Sequence, residues 1–74
     1  MVGLVRFGVI GLGDFGERHV QALKSIGGVE VVAVCSRTRS RAEEVARMYG
    51  VKKWYTEREK LVRDSEVDAV TIAT

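Results

Sequence analysis

The chain is poor in the residues that anchor metals and disulfides: it has one cysteine, Cys35, and one histidine, His19. A lone cysteine excludes an internal disulfide, and its place at the end of an apolar run suits a small thiol packed in a core. His19 has no Asp, Cys or second His at a ligand spacing, so a metal site has no support. Packing or hydrogen bonding beside the neighbouring glycines is the favoured role for this histidine over acid–base work. No apolar run approaches the roughly 20 residues needed to span a bilayer, and no basic stretch followed by a long apolar core opens the chain. We therefore expect no membrane partner and a cytoplasmic location. The formal net charge of +2 is too small to imply nucleic-acid binding, although Arg37, Arg39 and Arg41 place three cations within five residues.

What is present is ordinary for a globular piece: 46% apolar and 30% charged residues in 74. A domain of that length buries only about 60% of the surface its unfolded chain exposes, so its stability is expected to be marginal. Val5 to Ile10 is a short apolar run ending at glycines and reads as a buried strand. From Asp14 to Ile26, Phe15, Val20, Leu23 and Ile26 recur at helical spacing before Gly27-Gly28 stops the pattern. Val29 to Cys35 is almost continuously apolar, as expected of a parallel strand covered on both faces. Ser40 with Glu43 has capping-box spacing for a second helix carrying Ala42, Val45, Ala46 and Met48 and closed by Gly50. Lys52 to Tyr55 reads as a third strand, in which Trp54 and Tyr55 are packing residues. Thr56 and Glu59 would cap a helix with Leu61 and Val62 on its apolar side, and Val67 to Thr74 completes a fourth strand. Right-handed crossovers then make all four strands parallel, an α/β arrangement with three helices.

Gly11-Leu12-Gly13-Asp14-Phe15-Gly16 fits GxGxxG, a weak pattern alone that gains force here because it follows a strand and opens a helix. Gly11 would permit the tight turn, Gly13 would let a pyrophosphate approach the backbone, and Gly16 would let the helix pack close to the sheet. Backbone N–H groups and the positive end of the helix dipole would bind the phosphates. Leu12, Asp14 and Phe15 belong to the same loop and are counted with it, although the Asp14 carboxylate would repel a phosphate. Its alternative is to point away and cap the helix. The architecture is thus half of a doubly wound Rossmann fold, with strand order 3-2-1-4.

About twenty residues past the glycines, where an NAD site usually places an acid for the ribose hydroxyls, stand Ser36, Arg37 and Thr38. A guanidinium and two hydroxyls suit the 2′-phosphate of NADP, so NADP is preferred here over NAD. Arg39 is better explained as a solvated helix start, whereas Arg41 stays open between that role and cofactor contact.

These residues resemble the start of the Gfo/Idh/MocA family of oxidoreductases. The resemblance is carried by Gly11-x-Gly13-x-x-Gly16-x-x-His19, by Val31 to Arg37, by Arg41-Ala42 with Tyr49-Gly50-Val51, and by Val67-Asp68-Ala69-Val70 with Ile72-Ala73-Thr74. It implies NAD(P)-dependent hydride transfer with a sugar, polyol or related alcohol, and it adds Ala73 and Thr74 to the candidate cofactor contacts. In the family a Pro-Asn pair, a Glu-Lys-Pro motif with the catalytic lysine, and a second α/β domain follow. Residues 1–74 are accordingly expected to be the N-terminal part of the cofactor domain, with no catalytic residue of their own and no turnover alone. Ser36 departs from the acid commonest in the family, which puts plain NAD preference in doubt. Two other functions compete: a stand-alone nucleotide sensor, and a structural remnant without useful affinity. The family's sheet order makes the fourth strand internal, so an exposed Val67–Thr74 edge without proline or lysine is expected to drive self-association.

Overall fold

In a computed structural model, the residues described are 4–11 and 13–73; the side chains of Asp14 and Phe15, like Leu12 and Thr74, lie outside that description. Strands β1 (Val5–Ile10), β2 (Val29–Cys35), β3 (Lys53–Tyr55) and β4 (Ala69–Ile72) alternate with helices α1 (Asp14–Lys24), α2 (Arg39–Tyr49) and α3 (Arg58–Val62). All pairings are parallel, in the order β3-β2-β1-β4. This is the half-Rossmann arrangement that the strand and helix pattern implies. Among the described residues no helix is long and apolar enough to cross a membrane.

The sheet is covered on both faces because β2 supplies apolar side chains to each. Val31 and Val34 join Val9, Val20, Ala42, Val45, Ala46 and Val51 in a core beneath α1 and α2. Val32, Ala33 and Cys35 join Ile10 and Leu61 beneath α3. Two successive β2 residues, Val32 and Ala33, therefore point the same way, which breaks strand alternation. The register explains it: Phe7 pairs with Val31 but Gly8 pairs with Ala33, so β2 carries one extra residue at a bulge. Gly8 sits where the α3 side needs room, since a Cβ there would lie 2.5 Å from Leu61 Cδ2. Cys35 is a buried core residue, as expected, and burial pushes its thiol pKa up.

Several boundaries differ from the sequence pattern. Helix α1 stops at Lys24, not Ile26, because the Ser25 hydroxyl and backbone N–H both donate to the Ala22 carbonyl and close the last turn. Ile26 is then left exposed. Helix α2 is capped at Thr38 rather than Ser40: the N–H groups of Arg41 and Ala42 both reach the Thr38 carbonyl, which puts Ser40 inside the first turn. Helix α3 starts after Glu57 rather than Thr56 and makes no side-chain cap. Met48 and Val62, assigned to buried helix faces, are more than half exposed. Helix α2 is covered only along its Ala42, Val45 and Ala46 side, and five residues of α3 give it one inward position, Leu61. Strand β4 is shorter than Val67–Thr74, and among the described residues it pairs only with β1.

The amino ends of the strands are fastened by ion pairs. Arg6 grips Asp68 through its Nε and Nη2 donors, each at 3.1 Å, and the Arg6 backbone N–H adds a 2.9 Å bond to the same carboxylate. Asp64, only 5% exposed, accepts from Tyr55 Oη (2.6 Å), the Glu66 N–H (2.9 Å) and Lys53 Nζ (2.9 Å), while Lys53 also pairs with Glu66. The Tyr55 hydroxyl first, then the Glu66 N–H and Lys53, hold the Asp64 carboxyl at about 2 against an ordinary 3.8. A depressed folded-state pKa stabilises the fold above the unfolded value, and that contribution is lost as the pH falls through the folded one. Thermal stability should therefore drop between pH 4 and 2 in the wild type and fall less steeply over that window in Asp64→Asn. Melting curves across this range check it, and parallel profiles for the two proteins would dismiss the assignment.

Candidate functional site

The carboxyl ends of the strands carry the unusual backbone. The Gly11 N–H donates to the Cys35 carbonyl at 2.9 Å and the Ala73 N–H to the Ile10 carbonyl at 2.8 Å, so the end of β1 is held from both sides. There the chain turns at Gly11 with φ +90°, and a Cβ would lie 2.5 Å from the Ala73 carbonyl oxygen. Gly13 differs: its φ of −74° suits any residue, it is exposed, and nothing lies within 4 Å of where its Cβ would be. Gly13 is the N-cap of α1, which places Asp14 at the first helical position instead of the cap. Gly13 has no side chain with which to cap the helix, so among the described residues the orphan N–H groups of the first turn have no side-chain acceptor. Gly16 is buried in that first turn. An open approach to extended backbone at the start of an 11-residue helix fits a phosphate, and a side chain at Gly13 would fill it.

At the end of β2, the Ser36 N–H donates to the Tyr55 carbonyl and its Oγ accepts from the Thr38 N–H at 3.2 Å. This short turn leaves Arg37 exposed at its tip, followed by exposed Thr38. Arg41 sits apart from the tip. Its guanidinium donates to Glu17 at 2.7 Å and to Glu44 at 3.0 Å, and Tyr49 Oη donates to the second Glu17 oxygen at 2.8 Å. The Tyr49 hydroxyl first and Arg41 next hold the Glu17 carboxyl below its usual range. Arg41 thereby ties α2 to α1.

A crevice of about 500 Å³ opens beside the glycine turn. Ile10, Cys35 and Ile72 are its apolar lining; Gly11, Ser36 and Arg37 line one part of it, and Thr56, Glu57, Arg58 and Glu59 another. Of the residues singled out from sequence, the crevice gathers Gly11, Ser36 and Arg37. Gly13, Gly16, Thr38, Arg41 and Ala73 are not part of its lining, and Leu12, Thr74 and the side chains of Asp14 and Phe15 lie outside the described residues. The wall after β3 was missed in the sequence because Thr56 and Glu59 read as a helix cap. A usable signal was its position, since open α/β sheets bind ligands outside the carboxyl ends of their strands. His19 is exposed on α1, and Trp54 packs against the first core beneath Arg39, whose guanidinium carbon lies 5.4 Å from the ring centre. Among the described residues no group of His, Cys, Asp or Glu could hold a metal ion.

A parallel sheet of this order with a glycine turn after its first strand defines a nucleotide-binding α/β protein. The chain belongs to the GFO_IDH_MocA oxidoreductase family with an NAD-binding Rossmann fold, whose model matches residues 5–74. It is 41% identical over 70 residues to a 4-carboxy-2-hydroxymuconate-6-semialdehyde dehydrogenase of Sphingobium sp., covering 95% of this chain and 22% of that protein. It is 39% identical over 71 residues to a scyllo-inositol 2-dehydrogenase (NAD(+)) of Bacillus subtilis, covering 95% and 21%. A myo-inositol dehydrogenase from Lactobacillus casei, solved in complex with NAD(H) and myo-inositol, superposes with a TM-score of 0.88 at 33% identity, covering 96% of this chain and 22% of that one. The chain thus spans about a fifth of the length of the curated relatives it matches.

Proposed function

We propose that residues 1–74 are the N-terminal part of the cofactor domain of an oxidoreductase that passes hydride between NAD(P) and a sugar, polyol or related alcohol. The observation that carries this is the turn from β1 into α1, where Gly13 keeps the backbone approachable and, among the described residues, no side chain caps α1. The relatives, named as dehydrogenases of inositols and of a semialdehyde, support the reaction class. The nicotinamide supplies the hydride chemistry when the cofactor is bound. This chain's own residues bind and orient it: the loop of Gly11, Leu12, Gly13, Asp14, Phe15 and Gly16 takes the pyrophosphate, and Ser36, Arg37 and Thr38 take the adenosine ribose. Ala73, just after β4, and Thr74, which follows it in the sequence, are further candidate contacts, and Arg41 acts through its hold on α1. Substrate contacts and the catalytic residues belong to the remainder of the protein.

The same reading favours NADP over NAD, supported by the lack of a carboxylate at Ser36, Arg37 and Thr38 and by the exposure of Arg37. A charge-assisted bond from Arg37 to the 2′-phosphate would contribute roughly 1.5–3 kcal/mol. Arg37→Ala is therefore expected to weaken NADPH by roughly ten- to a hundredfold and NADH little. Titrating both reduced cofactors against both proteins decides it, and equal losses would remove the 2′-phosphate assignment.

A further inference from the structure

Six of the described cations are held by ion pairs or hydrogen bonds to the protein: Arg6, Lys24, Arg41, Arg47, Lys53 and Lys60. The two arginines that line the crevice, Arg37 and Arg58, have no such partner among the described residues. They come from different elements, Arg37 from the turn after β2 and Arg58 from the first position of α3. The apolar residues of the lining, Ile10, Cys35 and Ile72, end three neighbouring strands. Positive charge from Arg58 lowers the Cys35 thiol pKa, against the larger effect of burial, so its guanidinium stands near the end of β2.

We propose that Arg58 is a cofactor-binding residue that stacks its guanidinium plane on the adenine ring of the bound dinucleotide. The inference rests on the cofactor reading above. If the pyrophosphate lies on the glycine turn at β1 and the ribose at Ser36-Arg37 after β2, the base lies beyond the ribose, in the crevice bounded by α3. Purines need a flat apolar seat and a planar partner. No aromatic side chain lines this crevice among the described residues; the planar groups available are the guanidiniums and carboxylates. A guanidinium stacks on a π-face and is weakly hydrated, whereas carboxylates do neither well. Stacking is favoured over phosphate binding because Glu57 and Glu59 flank Arg58 in the crevice wall and offset its charge.

The test compares wild type with Arg58→Ala, Arg58→Lys and Arg58→Tyr. Energy transfer from Trp54 reports NADH and NADPH, and calorimetry reports ADP-ribose. Arg58 is exposed and unpaired among the described residues, so these changes should leave the circular dichroism and melting temperature near the wild-type values. We expect Arg58→Ala to weaken all three ligands alike, by about three- to tenfold. Arg58→Lys keeps the charge but not the plane and should not restore binding, whereas Arg58→Tyr keeps a plane and should. Unchanged affinities in Arg58→Ala overturn the proposal while leaving the cofactor reading intact. A loss confined to NADPH and restored by lysine overturns it in favour of a 2′-phosphate contact. Failure of the wild type to bind any of the three ligands overturns both.

Discussion

Gly13→Val is expected to abolish dinucleotide binding while the protein remains folded, with a loss of at least about 100-fold in affinity, or roughly 2.7 kcal/mol. The backbone at Gly13 has φ −74° and ψ −166°, which valine adopts without strain, and the added side chain meets nothing within 4 Å in the protein. Its cost to folding is that of a poorer N-cap, about 1 kcal/mol, partly offset by the reduced freedom of the unfolded chain. What the isopropyl group does occupy is the approach to the start of α1, where a pyrophosphate must come within hydrogen-bond reach of backbone N–H groups. Circular dichroism melts and NADH fluorescence titrations, run on the same samples, separate folding from binding. Normal binding by a folded Gly13→Val protein would show that the phosphates go elsewhere.

Gly11→Ala should do the reverse and strike stability. At φ +90° an L-residue is strained by about 1–2 kcal/mol. The new Cβ would also stand 2.5 Å from the Ala73 carbonyl oxygen, a backbone atom that cannot swing aside as a side chain can. Overpacking of this kind costs about 1–3 kcal/mol. A domain of this length has only about 4–11 kcal/mol of total stability, so the combined loss is a large fraction of it. The expected fall in melting temperature is roughly 8–40 °C, at about 4–8 °C per kcal/mol for a domain of this size. A melt within a few degrees of wild type would mean that the turn can relax away from β4. Two glycines two residues apart thus serve different ends, one keeping the turn closed and the other keeping it open to a ligand.

The strands and their order were legible because β2 is an apolar run interrupted only by Glu30 and each neighbouring segment begins or ends on a turn signal. The bulge was not. In a run such as Val31-Val32-Ala33-Val34, every residue can serve either face, so a two-residue step onto the α3 side leaves no mark in the pattern. Helix starts were misplaced by one or two residues for a related reason: Thr38, Ser40 and Thr56 are all competent caps, and backbone geometry rather than residue type selects among them. Of the candidate site, the glycine turn and Arg37 could be found because they are contiguous with recognisable elements. Arg58 could not be found that way, since it reaches the crevice only after β3 pairs beside β2 and brings α3 back over the sheet. Arg41 illustrates the converse, because the Glu17 that engages it lies 24 residues away on another helix.

The ion pairs described above are distributed unevenly, and this has a kinetic consequence. Arg6 and Lys53 are matched by carboxylates toward the amino ends of the strands, which mutes their field there. At the opposite end Arg37 is exposed at the tip of its turn, while Arg58 shares the crevice wall with Glu57 and Glu59, which offset its charge. If the cofactor binds as proposed, the attraction its phosphates feel before contact comes mainly from Arg37, over a range of about 10 Å at 0.1 M salt. On that reading, raising the ionic strength is expected to slow the cofactor's arrival before it weakens the bound complex.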